Sequence, residues 1–322
     1  MRYRPLGRSG PQVSEIGFGA AGIGRSGWVG ADDDESTRAL HRAIDLGVNF
    51  VDTARGYGDS ERLVGAVVRG RADARVHVAT KVPPANGVLP APEGLHPDEV
   101  FPGDHVRACT ETSLEQLGLH AVDLLQFHVW QDEWLGRGDW AATVGKLKAE
   151  GKIRRFGVSV NAYRPDSATE LVRSGLVDTV QVIYNVFDPG AEDVLLPLCQ
   201  ERGVGVIVRV PLDEGGLTGR IRPDTTFPDG DFRNRYFRGD RRDEVHRRVE
   251  ALRADLGLAE DEVASTALRF VLSNPAVTCV IPGMRSVRNV ERNTAVSDAR
   301  PLDPAALTAL RRHRWVRNFY QR

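Results

Sequence analysis

The sequence of 322 residues has little of several features that mark specialised classes of protein. Its three cysteines, Cys109, Cys199 and Cys279, lie too far apart for a metal-binding or redox motif, so we expect free thiols packed in the interior. No run of 18 apolar residues is present, and the N-terminus has no apolar signal region. These absences predict a cytoplasmic protein that does not insert into membranes.

Neither sign of charge is in excess. The 43 basic residues nearly balance the 44 acidic ones, giving a net charge of −1, so a nucleic-acid-binding surface is not expected. Basic residues cluster at 233–248 and 311–322, but at helical spacing and with acidic residues nearby, which predicts solvated helix faces. Lysine is scarce compared with arginine, which makes Lys81, near the end of a predicted strand, more noticeable.

Short apolar runs alternate with helical patterns along most of the chain. Predicted strands are centred near residues 16, 50, 78, 125, 157, 181, 207 and 279. Nearly all are separated by a predicted helix, so the pattern predicts an α/β protein: one (β/α)8 TIM barrel over residues 1–322. Arg2–Leu6 and Gln12–Ser14 are expected to pair as a β-hairpin before the first barrel strand.

Two connections are longer than a minimal β-α repeat needs. Residues 83–102 are rich in proline and lack a helical period, and residues 212–257 include an aromatic and arginine-rich turn at 232–237 followed by a predicted helix at 241–256. Loops of such length in a compact domain are usually functional, so we expect extended active-site loops here. The glycine-rich stretch 22–27 lacks the dinucleotide-binding spacing and is interpreted as a flexible rim segment.

Four polar side chains are brought to one edge of the predicted barrel. Asp52 ends a strand and Tyr57 follows in a loop, while Lys81 and His128 lie at the ends of the next two strands. Ligands bind at the carboxyl ends of parallel strands. Taken alone, Asp52 and Lys81 could form a purely structural ion pair. The convergence of all four residues favours a catalytic role.

The segments Asp52-Thr-Ala-Arg-Gly-Tyr57-Gly, Thr80-Lys81 and Leu125-Gln-Phe-His128 resemble, in combination and in order, the motifs of the aldo-keto reductase superfamily. The resemblance implies reduction of an aldehyde or ketone to an alcohol by hydride transfer. Tyr57 would be the general acid and His128 would orient the carbonyl. Lys81, held charged by Asp52, is expected to lower the pKa of Tyr57 from its usual value of about 10.

The resemblance also implies a nicotinamide cofactor, NADP(H) rather than NAD(H), bound in the barrel mouth. Ser159 and Gln181 match the family residues that contact the carboxamide, and Arg285 is well placed for a 2′-phosphate. The remaining matches to cofactor contacts are Leu212, Arg220, Gly283, Asn289 and Asn293.

The chain departs from the family pattern at three of these positions. Arg209 replaces the aromatic residue that usually stacks on the nicotinamide ring, and its charge is expected to favour the reduced cofactor. Val160 takes the place of an asparagine, with Asn161 one position later. Arg292 replaces a glutamate common before Asn293.

The loops of such a barrel, rather than its frame, set the choice of substrate. Trp28, Trp130 and Trp134, with parts of 83–101 and 227–238, are expected to line a pocket for a small carbonyl compound with apolar or aromatic bulk. Trp130 and Trp134 could equally anchor their loop to the barrel. A monomer or small homo-oligomer is the expected state.

Two other functions use some of the same residues. A Schiff-base lyase would use Lys81 as a neutral amine nucleophile, but Asp52 argues against it by keeping that lysine protonated. A redox-sensing regulatory protein would hold the cofactor and turn over slowly. Its residues would match those of an enzyme.

Overall fold

The computed structural model describes residues 1–317. Within this range the strands are β1 Tyr3–Pro5, β2 Gln12–Ser14, β3 Phe18–Gly19, β4 Phe50–Asp52, β5 His77–Val82, β6 Leu124–Phe127, β7 Phe156–Ser159, β8 Thr179–Ile183, β9 Gly205–Arg209 and β10 Val277–Val280. The α-helices are α1 Asp33–Asp45, α2 Ser60–Gly70, α3 Pro97–Val100, α4 Gly103–Leu117, α5 Trp140–Ala149, α6 Thr169–Ser174, α7 Leu195–Arg202, α8 Phe232–Tyr236, α9 Arg241–Leu256, α10 Val263–Ser273, α11 Val287–Thr294 and α12 Pro304–Arg311.

Strands β3 to β10 form one parallel eight-stranded sheet in which sequence neighbours are also spatial neighbours. The first and last strands also meet: the amide of Gly17 donates to the carbonyl of Val280 at 2.8 Å, and Gly19 donates to Pro282 at 3.1 Å. Parallel bridges join Ile16 to Val280 and Gly19 to Gly283. The sheet therefore curls back on itself with helices outside it, and the predicted (β/α)8 fold is confirmed.

The predicted N-terminal hairpin is also present. Strands β1 and β2 pair antiparallel, with Tyr3 opposite Ser14. Leu6 and Val13 of the hairpin region are buried in one cluster with residues that point into the barrel: Phe50, Ala79, Leu124, Ile207, Cys279 and Ile281. The hairpin thus plugs the amino-terminal end of the barrel, and the opposite end is left for ligands. A second, larger core fills the space between the barrel and its helices.

Strand register aligns the carboxyl ends that carry the predicted site. Asp52 lies opposite Ala79 on β5, Lys81 lies opposite Gln126 on β6, and Ser159 lies opposite Gln181 on β8. Each of these polar side chains occurs in a strand whose residues are all buried. Hydrogen bonding along the ladder therefore fixes where they stand.

Three predictions of local structure were wrong. The proline-rich segment 83–102 contains helix α3, and the turn 232–237 contains helix α8. The basic cluster 233–248 is not a uniformly solvated face, because Arg241 is 1% exposed and its Nη2 donates to Asp213 at 2.7 and 2.9 Å. The second cluster extends to 322, and its residues 318–322 lie outside the described residues.

All three cysteines are free thiols, as their spacing predicted. Cys199 and Cys279 are buried, and Cys109 is half-buried. Among residues 1–317, no helix combines the length and apolar character needed to cross a membrane.

Candidate active site

The carboxylate of Asp52 is the centre of a buried polar cluster at the carboxyl end of the barrel. Its Oδ2 accepts a hydrogen bond from Lys81 Nζ at 2.5 Å, and its Oδ1 accepts from Gln181 Nε2 at 2.8 Å and from Gln126 Nε2 at 3.1 Å. Asp52 is 2% exposed and Lys81 is not exposed. Three donors on one carboxylate fix it in place.

Lys81 remains a cation in this cluster. Besides Asp52, its ammonium donates to the carbonyl of Thr53 at 2.9 Å. Burial opposes the charge, but the field of Asp52 and the interactions with Asp52 and Tyr57 outweigh it, so the pKa of Lys81 is raised. A permanently charged ammonium therefore lies beside Tyr57, 4.9 Å from the centre of its ring.

Tyr57 is held in a tight loop after β4. Its amide donates to Ala54 at 3.0 Å, and Gly24 of the glycine-rich stretch packs so closely that a Cβ there would overlap the carbonyl oxygen of Tyr57. The stretch 22–27 is thus packed at Gly24 against the loop that carries Tyr57, rather than being only a flexible rim. Asp59 reinforces the contact by donating its amide to Gly24 at 3.1 Å.

The expected fall in the pKa of Tyr57 does not occur in the protein without ligand. Burial raises the pKa of the hydroxyl above 10, and the positive charges of Lys81 and Arg209 offset this only in part. The desolvation of the tyrosinate outweighs the attraction to the ammonium. Tyr57 is therefore protonated at neutral pH and available as a proton donor.

His128 faces Tyr57 directly, with ring centroids 5.6 Å apart and the rings nearly perpendicular. Burial and the nearby charges of Lys81 and Arg209 hold the pKa of His128 well below its usual 6.5. The imidazole is therefore neutral near pH 7. Its Nδ1 is buried without a hydrogen-bond partner among the described residues, so this atom is open to a ligand.

A cavity of about 660 Å³ extends from these side chains along the carboxyl face of the barrel. Asp52, Tyr57 and His128 lie in its wall, and Lys81 lies behind them. All nine residues predicted as cofactor contacts line the same cavity: Ser159, Gln181, Arg209, Leu212, Arg220, Gly283, Arg285, Asn289 and Asn293. The fold therefore brings together in one cavity residues that are far apart in sequence.

The charge of the cavity wall is mostly positive. Six arginines line it, namely Arg209, Arg220, Arg233, Arg235, Arg285 and Arg292, against the three carboxylates of Asp52, Glu214 and Asp261. Two of these groups are paired within the protein, Asp52 with Lys81 and Arg233 with Asp231, which leaves five arginines against two carboxylates. Such a cavity attracts a ligand that carries several negative charges.

Trp28 lines the cavity as expected, but Trp130 and Trp134 do not. Both are buried, pack edge-to-face against each other, and donate their indole N–H groups to Asp132 and to the carbonyl of Leu95. Trp140 completes the aromatic cluster beside Trp130 at 5.1 Å. The placement of Trp130 and Trp134 in the substrate pocket was wrong, because their rings are more completely desolvated against α5 than they would be at the rim.

Sequence reasoning missed Gln126 and did not single out Arg233 within the predicted segment 227–238. Gln126 donates to Asp52, and its amide in an otherwise apolar buried strand was an available signal. Arg233 reaches the cavity from α8 and lies over the ring of Trp28, 5.1 Å from its centre. No local pattern predicts that contact, since the two residues are joined only by the fold. Asn161 also lines the cavity, and its side-chain amide exchanges hydrogen bonds with the backbone N–H and C=O of Ala91.

A (β/α)8 barrel with a Tyr–Lys–Asp–His cluster at the wall of a cation-lined cavity defines a class of cofactor-using oxidoreductases. The chain belongs to the aldo/keto reductase family, whose model matches residues 15–314. Members of this family are oxidoreductases that act on carbonyl compounds and generally use nicotinamide cofactors.

Individual relatives cover nearly the whole chain. L-galactose dehydrogenase of Arabidopsis thaliana is 30% identical over 304 residues, covering 92% of this chain and 88% of the relative. NADH-specific methylglyoxal reductase of Escherichia coli is 28% identical over 312 residues, covering 92% and 93%. Among solved structures, the holo form of aldo-keto reductase AKR11C1 from Bacillus halodurans is 26% identical and superposes with a TM-score of 0.76, covering 98% and 96%.

Proposed function

We propose that this protein is an NADP(H)-dependent oxidoreductase that reduces an aldehyde or ketone to the corresponding alcohol. The observation that carries the proposal is the shared cavity: a protonated Tyr57 and a neutral His128 face the same space that the arginines line. A proton donor for the substrate and cations for the nucleotide phosphates thus line one continuous cavity.

The residues present fit a nicotinamide nucleotide. Buried polar atoms without a partner among residues 1–317 include Arg209 Nε and His128 Nδ1, both in residues that line the cavity. Gly283 lies in the wall at a point where even a Cβ would meet nothing within 4 Å, so there is room for a ligand against the backbone. The nine residues named above as predicted cofactor contacts would hold it.

The bound cofactor supplies the hydride that reduces the carbonyl carbon. Tyr57 donates its phenolic proton to the carbonyl oxygen, and the neutral imidazole of His128 donates an N–H hydrogen bond that orients the same oxygen. The tyrosinate left behind is stabilised by the adjacent ammonium of Lys81. Asp52 keeps that ammonium charged and in place.

A 2′-phosphate fits the surroundings of Arg285. Its Nη1 donates to the carbonyl of Val29 at 3.0 Å, but burial and the nearby charge of Arg233 lower its pKa, so the protein does not fully compensate its charge. An added phosphate would do so, which favours NADP(H). Because the relative from Escherichia coli is NADH-specific by name, the test must compare both nucleotides.

Part of the cavity wall is apolar. Trp28, Leu89, Pro90, Val129 and Phe232 contribute to it, in the same cavity as Tyr57 and His128. We therefore assign an aldehyde or ketone with apolar or aromatic bulk as substrate. The test is NADPH oxidation by purified protein with a panel of such carbonyl compounds. Turnover that is lost in the Tyr57→Phe variant supports the proposal, and no turnover with any carbonyl compound counts against it.

The Schiff-base alternative is disfavoured by Lys81 itself. The amine is fully buried behind Tyr57, paired with Asp52 and held protonated, whereas a nucleophilic lysine must be neutral and accessible. Borohydride treatment in the presence of a ketone should leave the mass of the protein unchanged. Covalent trapping at Lys81 would favour the lyase. A slow-turnover regulatory protein would bind cofactor and show the same site with negligible steady-state rate.

A further inference from the structure

Arg209 places a fixed positive charge at the reacting end of the cavity. It is the last residue of β9, and its Nη2 donates to the carbonyl of Val160 at 3.1 Å. It lines the cavity beside Tyr57 and His128, and its charge lowers the pKa of both groups, which shows that it is within electrostatic reach of each. The guanidinium is therefore close to the place where the carbonyl is reduced.

This charge has little compensation from the protein. Its Nε is buried without a hydrogen-bond partner, and within the part of the chain that the structure describes Arg209 forms no ion pair. Asp188 interacts electrostatically with Arg209 but lies beyond ion-pair distance. Asp52 is already paired with Lys81. With His128 neutral, the reacting end carries a net positive charge before any ligand enters.

The two redox forms of the cofactor differ in charge at this very end. The oxidised nicotinamide ring is a cation and the reduced ring is neutral, whereas their phosphates are the same. Hydride transfer requires the ring to touch the carbonyl carbon held by Tyr57 and His128. A ring placed for that transfer would lie within reach of the guanidinium that acts on those two side chains, where its oxidised form would meet a like charge.

We propose that Arg209 makes this protein bind the reduced cofactor more tightly than the oxidised cofactor. The inference rests on the proposed function, because it requires a nicotinamide nucleotide in the cavity. A like-charge contact at the edge of a protein is worth a factor of about ten or more in affinity. In a two-electron couple, a tenfold change in the ratio of the two dissociation constants corresponds to about 30 mV in the reduction potential of the bound cofactor.

The experiment is calorimetric titration of wild-type protein and of Arg209→Gln with NADP⁺ and with NADPH, or with the NAD⁺ and NADH pair if that pair binds. Glutamine keeps the polarity and most of the length without the charge. We expect the wild-type protein to prefer the reduced form at least about tenfold. In Arg209→Gln the oxidised form should bind about tenfold more tightly, with the reduced form changed by much less.

Two matched controls separate the ring from the phosphates. Arg209→Lys keeps the charge and should retain the wild-type preference. Arg220→Gln removes another arginine of the same cavity, at an exposed position, and should change the affinities for both redox forms by the same factor. A third probe, 2′-phospho-ADP-ribose, lacks the ring and should bind wild type and Arg209→Gln alike.

The outcomes distinguish the inference from the proposed function. Equal affinity of wild-type protein for the two redox forms overturns the inference without any variant, so a poorly folding Arg209→Gln does not remove the test. An unchanged ratio in a folded Arg209→Gln overturns it as well. In both cases nucleotide binding and carbonyl reduction still stand. Binding of neither nucleotide instead overturns the proposed function.

Discussion

At the scale of single residues, the chemistry of the site depends on two opposing effects on Tyr57. Burial raises the pKa of its hydroxyl, and the charges of Lys81 and Arg209 lower it. The first effect is larger, so Tyr57 keeps its proton. In the proposed reaction a substrate oxygen that develops negative charge would take this proton, and the buried pair of Lys81 and Asp52 would stabilise the tyrosinate that forms.

Replacing Tyr57 by phenylalanine removes the proton donor without removing the ring. We expect kcat/KM for carbonyl reduction to fall by about 10²- to 10⁴-fold, the usual contribution of a general acid. The Kd for NADPH should change little, because the ring and the arginines remain. Steady-state kinetics and nucleotide titration measure the two quantities. A variant with wild-type kcat/KM would assign proton donation to another group.

The pH dependence of reduction follows from the directions of two pKa shifts. Tyr57 is active while protonated, and its raised pKa keeps it so up to at least its usual value of 10.0. His128 is active while neutral, and its lowered pKa keeps it so down to below 6.5. The rate of reduction at saturating cofactor should therefore be flat between these values. A rate that falls by half as the pH rises from 7 to 8 would contradict the raised pKa of Tyr57, and a rate that falls by half as the pH drops from 8 to 7 would contradict the lowered pKa of His128.

At the scale of helices, strands and loops, the barrel brings the site together by the register of its strands. Asp52, Lys81 and Ser159 are each aligned with a neighbour on the adjacent strand, and the loops that follow supply Tyr57 and His128. Beyond His128, the loop after β6 has a different role. Its tryptophans pack with Trp140 on α5 and with Phe101, so the loop is anchored by aromatic contacts.

Two tryptophan variants test this division of roles. Trp134→Leu leaves a void in the buried aromatic cluster, so the free energy of unfolding should fall by about 2–4 kcal/mol. KM for a carbonyl substrate should stay within a few-fold of wild type. Trp28→Leu, at the half-buried cavity wall, should raise KM with little loss of stability. Denaturant unfolding and steady-state kinetics on both variants measure these two effects. If Trp134→Leu instead raised KM with little loss of stability, Trp134 would belong to the substrate pocket.

The sequence was most informative where structure depends on neighbours in the chain. Helix α9 was predicted at 241–256 and begins and ends at those residues, because a charged helical period and a terminal glycine mark it locally. The alternation of strands and helices likewise predicted the barrel. The family resemblance, not periodicity, supplied the cofactor positions.

The sequence was least informative where distant residues decide the outcome. Arg241 was taken for a solvated residue, but Asp213, which it binds, precedes it by 28 positions. The direction of the pKa shift of Tyr57 depends on how deeply the folded barrel desolvates it. The burial of Trp130 and Trp134 depends on rings from α5 and the loop before α4. Each of these outcomes is set by tertiary packing.

At the scale of the whole molecule, the two ends of the barrel have different roles. The hairpin seals the amino-terminal end with Leu6 and Val13, which are 1% and 0% exposed. The carboxyl end is open and carries the charged cavity. Apolar packing below thus supports buried ionic groups above, and the hydrogen bonds between the regions of β3 and β10 hold the sheet in its curled shape.

The Leu6→Ala substitution tests the role of the hairpin as a plug. Because Leu6 packs against Phe50 and other residues inside the barrel, its truncation should lower the free energy of unfolding by about 2–5 kcal/mol. Val88→Ala, at a position that is 44% exposed, is the control and should stay within about 0.5 kcal/mol of wild type. Urea unfolding compares them. Equal stability of the two variants would show that the hairpin is dispensable.

The central claim, that the cavity holds a nicotinamide nucleotide with a 2′-phosphate, is tested most directly by fluorescence titration with NADPH and NADH. The measurement uses wild-type protein and Arg285→Ala. We expect wild-type protein to bind NADPH more tightly than NADH, and Arg285→Ala to lose about tenfold or more in affinity for NADPH with a smaller change for NADH. Binding of neither nucleotide to the wild-type protein would contradict the account.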